Sequence, residues 1–297
     1  MKILMTGGTG FIGQQFISTF SEHKYTVLSR DARRARITLP HINVEIIETL
    51  DEIKDFDSFD AIINLAGEPI IDKRWTDSQK KRIEESRWQV TRDIVQRIQN
   101  SDNPPKVFLS GSAIGFYGNQ GTSRISEASE TQGEAFSTKL CVEWENIASQ
   151  AADKTRLILL RTGIVLHPDF GALNKMLLPF KFGLGGNVSN GEHYFSWIHW
   201  QDMIQAMHFL LVNEECQGAY NMTAPNPCTN ADFTTALGKV LHRPTLFTVP
   251  AFGLKLLLGE GAELLLDSQR VLPMALQGAG FEFTYHEAQT ALENLLD

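Results

Sequence analysis

The stretch Thr6-Gly7-Gly8-Thr9-Gly10-Phe11-Ile12-Gly13 constrains this chain more than any other. It stands between a short apolar run, Lys2 to Thr6, and a segment in which Phe11, Ile12, Phe16 and Phe20 recur at helical spacing, so it reads as strand, glycine turn, helix. Gly7 and Gly10 permit a tight turn and a close approach of backbone to a pyrophosphate, and Gly13 lets the helix pack on the strand. The first amides of the helix lack intrahelical acceptors and form a ready anion site. A dinucleotide is the ligand such a turn takes, with Thr9, Phe11 and Ile12 belonging to the same binding segment.

The rest of the first half repeats the alternation. Tyr25 to Ser29, Asn43 to Ile47, Asp60 to Leu65, Lys106 to Ser110 and Arg156 to Arg161 read as strands. Thr76 with Gln79 resembles a capping box ahead of Ile83, Val90, Ile94 and Ile98, which mark a long amphipathic helix, and Glu134 to Ala152 marks another. This pattern predicts an α/β fold, a Rossmann-type doubly wound parallel sheet. After Thr162 the elements shorten: a helix over Asn174 to Phe180, a loop from Gly183 to Glu192, helices near Gln201 to Asn213 and after Asn230, and a final helix around Glu287 to Leu296. We therefore expect a cofactor-binding half over residues 1–165, its sheet open to completion by later residues, and a smaller α/β substrate lobe over 166–297.

Composition excludes several classes of function. The 297 residues carry 27 Lys and Arg against 35 Asp and Glu, a net charge of -8 without a long basic run, so no nucleic-acid partner is expected. Cys141, Cys216 and Cys228 have neither zinc-site spacing nor an even count, which suits reduced thiols in a cytoplasmic setting and no metal centre. Met1 to Met5 run directly into the glycine turn with no secretory pattern. Val249 to Leu266 is broken by Lys255, Glu260, Glu263 and glycines, so it predicts two short packed helices and no membrane partner. The expected partner is a small-molecule substrate.

Cofactor choice turns on the end of the second strand, where an acid would bind the ribose of NAD(H). Here Ser29-Arg30-Asp31 stands, with Arg33, Arg34 and Arg36 beyond it. Arg30 offers a 2′-phosphate charge-assisted donors, and NADP(H) is favoured. A shift of one residue would put Asp31 on the ribose and reverse the preference. Asn64-Leu65-Ala66-Gly67-Glu68 ends the fourth strand, where small residues bring backbone to the cofactor. Arg87 falls within the apolar stripe of the long helix and needs a partner. With Arg82 it is read as reaching a phosphate or carboxylate, the alternative being a buried structural ion pair.

The fifth strand runs into Ser110-Gly111-Ser112-Ala113-Ile114-Gly115-Phe116-Tyr117-Gly118, and Lys139 follows on a helix. With TGGTGFIG, NLAGE, SGSAIGFYG, FSTKLCVEWE, LRTGIVL, FSWIHWQDM, VPAFGLKLLLGE and RVLPMALQGAGFEF, nearly the whole chain resembles the atypical, NAD(P)-dependent epimerase-like branch of the extended short-chain dehydrogenase/reductases, whose members end in a small C-terminal domain of unknown function, here 248–297. The resemblance implies a Ser, Tyr and Lys machinery in which the Tyr exchanges a proton, the Lys lowers its pKa and holds ribose, and the Ser orients a carbonyl. Ser112 matches the Ser and Lys139 the Lys, but Ala135 stands where the Tyr belongs.

Tyr117 is a substitute candidate at the same strand end, its alternative being a packing residue. Tyr194 and His199 are others, and Glu68 and Glu127 stay unassigned. The resemblance also sets Ser110 at the cofactor and Ile164 at the nicotinamide side, where Arg161 is a candidate buried pair. Glycines from Gly183 and the aromatics Tyr194, Phe195 and Trp197 suit a substrate lid or a surface hairpin with core aromatics. Two functions follow: an NADP-dependent oxidoreductase or epimerase acting on a sugar nucleotide or small carbonyl compound, or a non-catalytic NADP(H)-binding sensor.

Overall fold

The computed structural model describes residues 1–41 and 43–296. Its main sheet has seven strands, numbered here along the chain: β1 Lys2–Thr6, β2 Lys24–Leu28, β3 Val44–Ile47, β4 Ala61–Asn64, β5 Val107–Ala113, β6 Arg156–Thr162 and β7 Gly218–Met222. All neighbours pair in parallel, in the order 7-6-5-4-1-2-3. The connection between β3 and β4 holds only a single 3-10 turn, Leu50–Glu52, and β4 enters on the far side of β1. Strand order reverses there, between β1 and β4, and opens a crevice at the strands' carboxyl ends.

The alternation of side chains along each strand builds three layers. Ile3 and Met5, Ala61 and Ile63, Val107 and Leu109, and Ile158 and Leu160 face one side, where helices α1 Phe11–Thr19 and α6 Trp200–Val212 cover them with Phe16, Ile17, Met203, Met207 and Leu210. Leu4, Ile62, Phe108, Leu157 and Leu159 face the other side, against Ile94, Val95 and Ile98 of α3 Asp77–Gln99 and Ala148 of α4 Phe136–Ser149. The edge strand β3 is preceded by α2 Ala32–Thr38.

The second lobe has a separate core. Leu173, Leu177 and Phe180 of α5 Gly171–Lys181, Phe233 and Leu237 of α7 Asn230–Val240, and Ala291 and Leu292 of the final helix Ala288–Leu296 pack with Phe195 and Trp197. The segment from Gly183 is held in two small ladders, Gly186–Val188 with Phe247–Val249 and Tyr194–Phe195 with Cys228–Thr229. Among the described residues the segment closes no hairpin on itself, since its two strands pair with distant segments, and of its aromatics Phe195 and Trp197 are core residues. The stretch after Pro250 forms Ala251–Leu258 and Glu263–Leu266 joined by a 3-10 turn, and among the described residues no helix is long and apolar enough to cross a membrane.

The two halves are interleaved, because α6 and β7 come after the first segments of the lobe yet complete the sheet layer. Residues 1–165 expressed alone would leave Ile158, Leu160 and Leu109 without the cover of α6 and β6 without its neighbour. That fragment is expected to bind a hydrophobic dye and to lack a cooperative urea transition, whereas the whole chain unfolds sharply.

Candidate functional site

The crevice between β1 and β4 contains a cleft of about 900 Å³, within the size range of small-molecule sites. Helix α1 opens onto it without a side-chain cap: its N-cap is Gly10, whose amide donates to the Gly7 carbonyl at 2.9 Å. The next amides are therefore available to a ligand. Gly7 has φ +68°, and a Cβ there would sit 2.5 Å from the Leu65 carbonyl group. A Cβ on Gly13 would meet the Gly7 oxygen at 2.6 Å, so this position seats the helix beneath the turn and touches no ligand space.

A buried polar chain fixes the floor of the cleft. Thr6 Oγ1 donates to Asn64 Oδ1 at 2.6 Å, Asn64 Nδ2 donates to Thr91 Oγ1 at 2.8 Å, and Trp144 Nε1 donates to the same oxygen at 2.9 Å. Thr91 in turn donates to the Arg87 carbonyl at 2.6 Å. Each of these side-chain groups is buried and partnered, so β1, β4, α3 and α4 share one rigid network.

At the end of β2, Ser29, Arg30 and Arg34 line the cleft. Asp31 is the N-cap of α2, and its Oδ1 accepts the Arg34 amide at 2.9 Å. One carboxylate oxygen thus serves the helix start, while Asp31 also lines the cleft between Arg30 and Arg34. Leu65, Ala66 and Gly67 form the opposite wall, with Arg82 on α3. Arg82 donates to Gln79 Oε1 at 2.6 and 3.1 Å, so Thr76 caps α3 but Gln79 does not close the box. Glu68 also lines the wall. The hydrogen bond from Lys73, 3.2 Å away, leads the interactions that hold its carboxyl below the ordinary range, with Arg30 adding to the effect.

Of the residues singled out in the sequence, Gly7, Thr9, Gly10, Ser29, Arg30, Leu65, Ala66, Gly67 and Arg82 come together in this cleft. Asp31, Arg34 and Glu68 line it as well. The Phe11 side chain stacks on Phe170 at 4.9 Å, fastening α1 to the second lobe, and that of Ile12 packs on the core, which leaves to these two residues only their backbone amides at the start of α1. Ser110 is buried within β5, and Ile164 lies in a short parallel ladder with Trp197. Arg87 donates to the carbonyls of Ile83 and Glu68, both at 3.1 Å, and lies 5.4 Å from the Trp144 ring. Its partner is backbone, neither the phosphate nor the ion pair that the sequence suggested.

Ser112 and Tyr117 share one buried network that Lys139 does not enter. Ser112 donates to Glu145 Oε1 at 2.6 Å, and Glu145 forms a bidentate pair with Arg161 at 2.8 Å through each oxygen. The Tyr117 hydroxyl accepts from Arg161 Nη1 at 2.9 Å and donates to Asn221 Oδ1 at 2.6 Å. Asn221 continues the network to the Leu272 carbonyl, and its amide donates to Glu127. The Tyr117 ring is fully buried, and burial raises its pKa above the ordinary phenol value despite the opposing Arg161, so it stays protonated at neutral pH. Lys139 lies on the outer face of α4, its side chain 63% exposed and 2.8 Å from Glu134. Alternation along β5 and the helical turn of α4 send these groups in different directions.

His199 caps α6 through the Gln201 amide and stacks on Tyr285. Its pKa is lowered to about 4 by burial, which suits a neutral structural imidazole. Tyr194 lies 4.8 Å from the Arg270 guanidinium in the small ladder. The sequence reading missed Gln14, which donates to the Thr9 carbonyl at 2.7 Å and lines the cleft. It also missed the polar stripe Ser86, Gln89 and Asp93 of α3, which continues from Arg82 at steps of three and four. Helical periodicity beside the apolar stripe is the signal that would have found it.

Residues 3–223 match the model of the NAD dependent epimerase/dehydratase family, and residues 249–295 match a domain of unknown function, DUF1731. An epimerase family protein of Arabidopsis thaliana, a chloroplastic SDR39U1 homolog, is 37% identical over 303 residues, covering 100% of this chain and 87% of its own. An epimerase family protein of Staphylococcus aureus (strain MRSA252) is 34% identical over 299 residues, covering 99% of each. Among solved structures, human epimerase family protein SDR39U1 (isoform 2) with NADPH has a TM-score of 0.91 at 30% identity, over 100% of this chain and 99% of that one.

The Glu145–Arg161 pair is buried on both sides, so removing one charge strands the other. Glu145→Gln is expected to lower the unfolding free energy by about 3–5 kcal/mol, measured by urea denaturation. A change below about 1 kcal/mol, the scale of an exposed pair, would remove the pair from its structural role.

Proposed function

The chain belongs to the NAD dependent epimerase/dehydratase family, and from that premise we propose that it binds NADP(H) in the cleft and acts on a small carbonyl or sugar-nucleotide substrate by hydride transfer, without the Tyr and Lys proton relay. The observation that carries this reading is the meeting of the uncapped start of α1 with Arg30 and Arg34 across one cleft, beside an Asp31 whose Oδ1 is held by the first turn of α2. The donor set fits a phosphorylated dinucleotide: backbone amides for the pyrophosphate, guanidinium groups for a 2′-phosphate, and the Leu65 to Gly67 backbone as the facing wall. The NADPH of the human relative agrees with it.

When bound, the nicotinamide supplies reversible hydride transfer at a carbonyl carbon. The chain's own residues orient and hold. Thr6, Asn64 and Thr91 keep the turn and the β4 wall in register, and Ser112 and Tyr117 act through Arg161 and Glu145 on the strand ends, with no contact to the reacting atoms in this reading. Position 135 offers no phenol, so the accompanying proton is left to solvent. The dismantled relay also favours a second reading, an NADP(H)-occupied sensor without turnover.

Two measurements test these readings. Arg30→Ala is expected to weaken NADPH binding by about 1.5–3 kcal/mol, the scale of a charged hydrogen bond, and to leave NADH nearly unchanged in a calorimetric titration. Equal losses would refute the 2′-phosphate assignment. Under the catalytic reading NADPH is oxidised in a substrate-dependent manner across a panel of carbonyl compounds and sugar nucleotides, and Lys139→Met turns over like the unaltered protein. Loss of turnover in that variant would return Lys139 to the mechanism, and no oxidation across the panel would leave the sensor.

A further inference from the structure

The turn between α1 and β2 lies at the amino end of the sheet, away from the cleft. It carries Glu22 and His23, and α6 brings His208 against it. The ligand-capable atoms of these three side chains all lie within 4.8 Å of one another. The His208 ring stacks on Phe20 with centroids 3.9 Å apart and planes 10° apart, and it lies 5.6 Å from the His23 ring at 16°. Packing against Phe20 thus presents one imidazole beside the other.

A second, independent observation points to a ligand. His23 is 8% exposed, and its Nε2 is buried without a hydrogen-bond partner. The nearest carboxylate oxygen, Glu22 Oε1, is 3.7 Å away, beyond hydrogen-bond reach. The Met1 nitrogen, 3.5 Å from Nδ1, serves the other edge of the ring and takes no position at Nε2. A buried ring nitrogen without a partner is unusual in a folded protein. Here it lies on the side of the Glu22 carboxylate, and the His23 ring is flanked by a second imidazole, so the donors that divalent transition metals prefer are gathered at one place.

We propose that Glu22, His23 and His208 form a binding site for one divalent transition-metal ion, with Zn²⁺ the best match. Two imidazoles and a carboxylate are borderline donors that suit Zn²⁺ and its neighbours better than Mg²⁺ or Ca²⁺. Three protein ligands leave a fourth tetrahedral position for water. Ligand atoms about 2.0–2.2 Å from such an ion stand closer together than the present spacing, so binding requires side-chain rotation, for which Glu22 is exposed and His208 half-buried. The ion would clamp the first helix-strand turn to α6, an element joined to it only after more than half the chain has passed. The site is independent of the cofactor cleft and of the function proposed for it.

The test uses the full chain without an affinity tag, stripped with a chelator and titrated calorimetrically with ZnCl₂, then loaded with Co²⁺ for absorption spectroscopy. One saturable equivalent, the visible bands of tetrahedral Co²⁺, and a raised melting temperature with Zn²⁺ are expected. His208→Gln should weaken Zn²⁺ by at least about tenfold, since even an outer-shell partner's loss brings that much. The exposed Glu22→Gln, which leaves the core untouched, should weaken it severalfold and provides the reading if the His208 variant fails to fold. No saturable equivalent, or unchanged affinity in the folded variants, overturns the proposal. So does a thiolate charge-transfer band, which would place the ion on a cysteine such as Cys228.

Discussion

Arg161 and Glu145 face each other in the interior, their side chains each 7% exposed, and this buried pair governs much of the molecule. A charge removed from water must find an opposite charge and enough hydrogen bonds to replace its hydration. Arg161 meets that demand with Glu145, Tyr117, the Glu127 carbonyl and the face of Phe116, 3.6 Å from its guanidinium carbon. Ser112 supplies a further donor to Glu145. The pair joins β6 to α4 and, through Asn221 and Leu272, ties β7 and the C-terminal segment to the same point. Electrostatic necessity thus draws Ser112 and Tyr117 into the same buried network.

The cleft follows a different logic. Its rim is made of the helix start and of Arg30, Arg34 and Arg82, while the rigidity lies beneath, in the Thr6, Asn64 and Thr91 chain and in Arg87, which pins the Glu68 carbonyl to α3. Gly67 is part of this arrangement, because a Cβ there would meet the Arg87 guanidinium carbon at 2.8 Å. The wall is smooth because a guanidinium is packed behind it.

What was legible in the sequence was what local spacing controls. The glycine turn, the alternating strands and the stripe from Ile83 to Ile98 all declare themselves within a few residues, and these fix the sheet and the cleft. Direction was the part that stayed hidden. Whether Ser112 faces substrate or α4 depends on the alternation of β5, and a helix turns about 100° per residue, so neither Lys139's outward face nor Arg87's carbonyl partners can be read from composition. Asp31 was ambiguous because the end of β2 at Leu28 and the cap of α2 at Asp31 lie only three residues apart. Contacts across long sequence separations, such as His23 with His208, leave no local trace at all.

The late arrival of β7 also bears on how the molecule is made. Strand β6 ends at Thr162 and its neighbour begins at Gly218. At roughly 5–20 residues per second, a ribosome needs several seconds to supply the missing edge. During that interval the emerging polypeptide carries an unpaired parallel edge and a bare apolar sheet face, the surfaces most prone to mispairing with other nascent chains. Synthesis rate over that interval therefore sets how long those surfaces stay uncovered.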